Sequence, residues 1–151
     1  MLKVGDNAPD FRVPDHTGKE RTLAEFRGKK VVLYFYPKAD TPGCTAESCG
    51  FRDRLADFQK KNVQILGVSF DTVEENAAFV KKYNLPFPLL CDTSRSIGLA
   101  YGATTDPKGK YADRITYLID ENGKIEQAHA KVDAKNHPGT LLESIPAKKQ
   151  P

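Results

Sequence analysis

Two cysteines, Cys44 and Cys49, lie five positions apart in the stretch that runs from Thr41 through Pro42 and Gly43. Thr41 has the side chain of a helix N-cap, and Pro42 suits the first helical position, where a missing N–H costs nothing. Cys44 then falls in the first turn, facing backbone N–H groups that have no partner inside the helix. A thiol reacts as its thiolate, and the positive end of a helix favours that anion. An ordinary thiol with a pKa of about 8.5 is only roughly 3% ionised at pH 7, so the position favours a nucleophile. The chemistry indicated is that of a reactive cysteine with a second thiol close by in sequence.

If both cysteines share one regular helix, their Cα atoms are roughly 7.5 Å apart along the axis, with about 140° of rotation between them. That exceeds the usual disulfide limit of about 7 Å, so joining them requires the first turns to unwind. The spacing predicts a switch between a helical reduced form and an unwound, bridged one. Cys91, in Leu89-Leu-Cys-Asp92, stands outside this stretch and reads as a strand thiol without a role.

The elements that position these residues can be read in order. Val31 to Tyr36 is a continuous apolar run, rich in β-branched and aromatic side chains and closed by Pro37, as expected of a central strand. Before it, pieces at Asp10–Val13 and Glu20–Thr22 flank the turn His16–Lys19 and predict an N-terminal hairpin, followed by a helical turn over Leu23–Phe26 that Gly28 ends. After it, Cys44, Phe51, Leu55 and Phe58 mark one stripe of a single helix. Val63–Ser69 reads as a second buried strand, and Thr72 with Glu75 forms a capping box for a helix to about Tyr83, with Val73, Ala77 and Val80 inward. A short strand at Leu89–Cys91 and a brief helix at Ser94–Ala100 follow. Arg114–Asp120 and Lys124–Ala130 form a hairpin across Asn122-Gly123, and a helix over Gly139–Ile145 precedes a tail, Ala147–Pro151, expected to fray. Alternating strands and helices imply an α/β fold with parallel strands joined by right-handed crossovers.

With 151 residues, the chain is expected to form one domain over residues 1–151. Its 39% hydrophobic and 28% charged residues are ordinary for a water-soluble chain, with no apolar run long enough for a membrane span. A net charge of +3, spread without basic blocks or aromatic-basic interleaving, argues against nucleic acid as a partner. The N-terminus has no apolar signal region, so a cytoplasmic location is the expectation. Three cysteines are too few for a disulfide scaffold, and in a reducing compartment a close pair is more often catalytic or metal-binding. The residues alone leave open a zinc site using Cys44, Cys49 and one of His16, His129 or His137, a disulfide oxidoreductase of thioredoxin type, and a non-catalytic binding module. The zinc reading lacks a second ligand pair, and the oxidoreductase reading meets four intervening residues where the redox motif has two.

The stretch resembles the atypical two-cysteine peroxiredoxins of the bacterioferritin comigratory protein, or peroxiredoxin Q, subfamily. Pro37, Thr41 and Cys44 match the family's Pro-x-x-x-Thr-x-x-Cys signature, and Glu47, Cys49, Phe51, Arg52 and Asp53 match the subfamily's extension of it. Gly5–Phe11, Gly67–Ser69, Leu85–Pro88 and Arg114–Asp120 extend the likeness over most of the chain. The resemblance implies a thioredoxin-like fold in its peroxiredoxin variant: a mixed central sheet flanked by helices, with the N-terminal β-hairpin as an extension. It implies a peroxidase in which Cys44 attacks a peroxide and becomes a sulfenic acid, Cys49 resolves it as an intramolecular disulfide, and a thioredoxin-type dithiol restores both. Thr41, Arg114 and amides near Gly43 and Cys44 become hydrogen-bond donors to peroxide oxygens, and Pro37 a shield against water. By position alone, Arg114 is a solvated charge at a strand start; the resemblance makes it catalytic. No cofactor is implied, and the subfamily suggests a monomer.

Overall fold

The computed structural model describes residues 1–147, and the expected fraying of the tail falls mostly outside them. At the centre lies β3 (Lys30–Phe35), buried after its first residue. It pairs in parallel with β4 (Val63–Ser69) and antiparallel with β6 (Thr116–Ile119). β5 (Leu89–Cys91) adds in parallel to β4, and β7 (Ile125–His129) antiparallel to β6, giving a five-stranded mixed sheet in the order β5-β4-β3-β6-β7. The hairpin β1 (Arg12–Pro14) and β2 (Glu20–Thr22) forms a separate two-stranded ribbon, joined to β5 by a bridge between Asp15 and Leu90. The β6–β7 turn closes through Gly123, whose φ of +81° few other residues adopt readily.

Alternation along β3 sends its side chains to two cores. Val31, Leu33 and Phe35 join Phe11, Leu66, Tyr101 and Tyr117 on one face. Val32, Tyr34 and Tyr36 join Cys44, Phe51, Phe58, Phe79, Leu118 and Leu141 on the other. The second face is covered by α1 (Pro42–Asp53), α2 (Leu55–Lys60), α3 (Val73–Tyr83) and α5 (His137–Ser144), the first by α4 (Ser96–Tyr101). Gly67 lets β4 pass beneath these rings, since a Cβ there would stand 2.7 Å from Leu89 Cδ2 and 2.9 Å from Tyr34 Oη.

Three expectations need correction. The helix expected to run from Cys44 through Phe58 breaks at Arg54 (φ −109°, ψ 8°) into α1 and α2. The break re-aims Phe58 onto Phe51, their ring centroids 5.8 Å apart, and leaves Leu55 at the margin. The capping box of α3 is present, with Thr72 Oγ1 accepting from Glu75 N at 3.2 Å and Glu75 Oε1 from Thr72 N at 3.0 Å. Its buried residues, however, are Asn76 and Phe79, while Val73, Ala77 and Val80 are half-buried. Asn76 replaces an apolar residue there because it hydrogen-bonds Tyr36, Ser69 and Cys91. The helix expected at Ser94 starts at Ser96, capped from outside by Asp92, which accepts from the amides of Ile97 at 3.2 Å and Gly98 at 2.8 Å.

Candidate active site at the start of α1

Chain leaving β3 passes through Pro37, half-buried, and reaches α1 at the N-cap Thr41. The first helical bond runs from Thr45 N to Thr41 O at 2.8 Å, so the amides of Gly43 and Cys44 lie ahead of the ladder. Thr41 has N-cap backbone angles, φ −102° and ψ 157°, but its hydroxyl caps nothing in the helix. It donates instead to Lys38 O at 2.7 Å. The two amides therefore stay open toward an anion, while the Thr41 hydroxyl proton is taken up by the Lys38 carbonyl.

Cys44 is fully buried on the core stripe of α1. Arg114, just ahead of β6, comes to it across the sheet end: Nη2 donates to Cys44 Sγ at 3.4 Å, and Nη1 donates to Glu47 Oε1 at 2.9 Å. One guanidinium thus spans two positions on adjacent turns of α1. It lies so close over the first turn that a Cβ on Gly43 would stand 2.9 Å from Arg114 Nη2. Gly43 is there because the arginine needs the space. Burial works against the Arg114 charge, but Cys44 and Glu47 outweigh it and hold the group above its ordinary value.

Glu47 is the residue that sequence reasoning left without a role. It is 0% exposed, and burial pushes its carboxyl up to about 7 against the opposing pull of Arg114. Oε1 pairs with Arg114, whereas Oε2 has no hydrogen-bond partner among the described residues. The signal was available: Glu47 is three residues after Cys44 and four before Phe51, so it lies on the apolar stripe, where a carboxylate needs a buried cation.

Cys49 is half-buried in the same unbroken helix, and its thiol is free, as are those of Cys44 and Cys91. Burial raises the Cys49 thiol above its ordinary value, with Arg52 opposing and Asp53 assisting. Cys91 belongs to a different neighbourhood: it accepts from Asn76 Nδ2 at 3.3 Å, and burial pushes it up to about 11. The histidines considered for zinc are engaged elsewhere, His16 accepting from Leu89 N at 3.3 Å and His129 stacking against His137 at 5.3 Å. Among the described residues no three His, Cys, Asp or Glu are gathered to hold a metal, and no helix is long and apolar enough to cross a membrane.

A thioredoxin-like sheet that presents a buried cysteine beneath open helix amides and a half-buried arginine defines a thiol-dependent peroxidase, an oxidoreductase. The AhpC/TSA family model matches residues 4–128, and the chain belongs to that family. A putative peroxiredoxin Bcp of Coxiella burnetii is 45% identical over 141 residues, which cover 90% of this chain and 93% of the relative. The peroxiredoxin Bcp of Escherichia coli is 40% identical over 146 residues, 93% and 94% of the two chains. Among solved structures, peroxidoxin BcpB from Mycobacterium tuberculosis superposes with a TM-score of 0.89 at 33% identity, over 96% of this chain and 97% of that one.

Proposed function

We propose that the chain reduces hydrogen peroxide and organic hydroperoxides through Cys44, with Cys49 as resolving thiol. The thiolate attacks one peroxide oxygen, the O–O bond breaks, and the other oxygen leaves with the electron pair and takes a proton as water or alcohol. Cys49 then attacks the Cys44 sulfenic acid, releasing water and forming an intramolecular disulfide. A thioredoxin-type dithiol reduces that disulfide by exchange and is itself oxidised. What carries this reading is the Arg114 guanidinium on Cys44 Sγ at 3.4 Å, with the Gly43 and Cys44 amides open beside it. These groups are aimed where negative charge develops as the O–O bond breaks. Thr41 accepts from the hydroperoxide O–H, and Pro37 limits water at the β3 end. A related protein, the bacterioferritin comigratory protein of Xanthomonas campestris, has been studied for alkyl peroxide reduction; it superposes with a TM-score of 0.86 at 30% identity, over 96% of each chain.

Both thiols are on one chain, so a monomer in the cytoplasm suffices. Mass spectrometry of peroxide-treated protein tests the resolving step. The wild type is expected to lose two hydrogens by linking Cys44 to Cys49, and Cys49→Ser to gain one oxygen at Cys44. Recovery of free thiols with thioredoxin and its reductase, and not with glutathione alone, would support the reductant; a wild-type product bridged through Cys91 would overturn the assignment of Cys49.

A further inference from the structure

The loop Pro37–Thr41 carries two of the proposed site residues, yet it has no regular secondary structure of its own. Its position comes from the far end of β4. Asp71, 3% exposed in the turn between β4 and α3, accepts from Ala39 N at 2.8 Å and from Ser69 Oγ at 2.7 Å through Oδ2. Its Oδ1 accepts from Lys38 Nζ at 2.5 Å, and the same ammonium reaches Glu75 Oε2 on α3. Lys38 in turn supplies the carbonyl to which Thr41 Oγ1 donates. Tyr36, the residue ahead of the loop, donates to Asn76 Oδ1 at 2.6 Å, and Asn76 Nδ2 donates to Ser69 Oγ at 3.2 Å. Both the entry and the middle of the loop are therefore tied to one buried cluster on β4 and α3.

Taking a carboxylate out of water costs several kcal/mol unless hydrogen bonds and a cation offset it. Two of the three partners of Asp71 belong to the loop rather than to the elements beneath it. We propose that Asp71 is a positioning residue for peroxide reduction, fixing the Pro37–Thr41 loop so that Thr41 meets the peroxide held at Cys44. It shares no hydrogen bond with Cys44, Glu47 or Arg114 and acts only through Lys38 and Ala39. The inference rests on the peroxidase reading. Displacement of a positioning group by about 1 Å can cost about a hundredfold in rate.

The test compares two reactions of reduced Cys44: oxidation by hydrogen peroxide, which needs the loop in place, and alkylation by iodoacetamide, which reports the thiolate. Asp71→Asn keeps the size of the side chain and removes the charge that holds Lys38. The expected result is a fall in the peroxide rate of about tenfold to a hundredfold, with alkylation within about threefold of wild type. Equal peroxide rates in Asp71→Asn and wild type, or a parallel fall in both reactions, would overturn the role. Should Asp71→Asn fail to fold, Lys38→Met decides on the same pair of rates: a selective loss of several-fold in the peroxide rate supports the proposal, and no change refutes it. Failure of the peroxidase reading is distinguishable, because wild type itself would then show no Cys44-dependent peroxide consumption.

Discussion

Glu47 sets stability against reactivity. Its carboxyl titrates near 7 in the folded protein against 4.5 for an ordinary glutamate, because burial disfavours the charge more than Arg114 restores it. A raised carboxyl binds its proton more tightly when folded. Its contribution to stability is therefore fullest below pH 4.5 and fades as pH rises through 7, amounting to roughly 3 kcal/mol over that window. Glu47→Gln removes the ionisation while keeping the shape. Denaturation of the reduced proteins in urea is expected to show the variant gaining on wild type between pH 5 and pH 8, by an amount up to that figure, while its peroxide rate falls about tenfold as Arg114 loses its anchor. Two parallel stability curves would contradict this. Cys91→Ser is expected to leave peroxide turnover within about twofold of wild type, since burial holds that thiol protonated against the opposing hydrogen bond from Asn76. The cysteine pair and the N-cap position of Thr41 were legible from residue type and spacing, whereas the site roles of Thr41 and Pro37 came with the family resemblance. Arg114 needed the family resemblance, because its contact with Cys44 spans 70 positions.

At the scale of elements, the proposed resolving step requires α1 both to present Cys44 and to release it. Pro42 starts the helix, and Phe51 anchors its second half, packed 4.7 Å from the Tyr34 ring centroid and 5.8 Å from that of Phe58. Arg52 Nη1 adds a tie to Tyr83 O at 2.6 Å. Unwinding should therefore stop short of Phe51. Hydrogen exchange on the oxidised protein is expected to show faster amide exchange over residues 43–49, with the strands β3 and β4 unchanged; protection retained across that segment would contradict a bridge between Cys44 and Cys49. The break at Arg54 was not legible, because Phe51, Leu55 and Phe58 fit one helical stripe and only tertiary packing shows that Phe58 is aimed separately. The inward face of α3 was missed for a related reason: Asn76 reads as polar surface until its partners Tyr36, Ser69 and Cys91 are known.

For the molecule as a whole, the sheet divides two cores, and the site sits on the face covered by α1 and α5. On the opposite face the Tyr117 hydroxyl donates to Tyr101 O at 2.5 Å and accepts from Leu2 N at 3.0 Å, joining β6, α4 and the N-terminus. Tyr117→Phe leaves a buried carbonyl without its partner and is expected to cost about 1–3 kcal/mol in urea denaturation, with the peroxide rate of the folded protein unchanged. Loss of rate without loss of stability would contradict the separation of the two faces. Apart from the division of α1 from α2, the order of elements was legible, since buried runs such as Val31–Tyr36 and the Asn122-Gly123 turn are local signals. The pairing of β3 between β4 and β6, which brings Arg114 to α1, is long-range and has no local signature.

In the proposed mechanism Cys44 is the nucleophile, and Arg114 and the open amides at the start of α1 accelerate its attack. Single-turnover oxidation of the reduced protein by hydrogen peroxide, followed in wild type, Cys44→Ser, Cys49→Ser and Arg114→Lys, tests it most directly. No reaction is expected for Cys44→Ser, and a wild-type rate of sulfenic acid formation for Cys49→Ser. Arg114→Lys, whose single ammonium cannot reach both Cys44 and Glu47 in the same geometry, is predicted to lose about a hundredfold. Oxidation of Cys44→Ser at the wild-type rate would rule out Cys44 as the nucleophile.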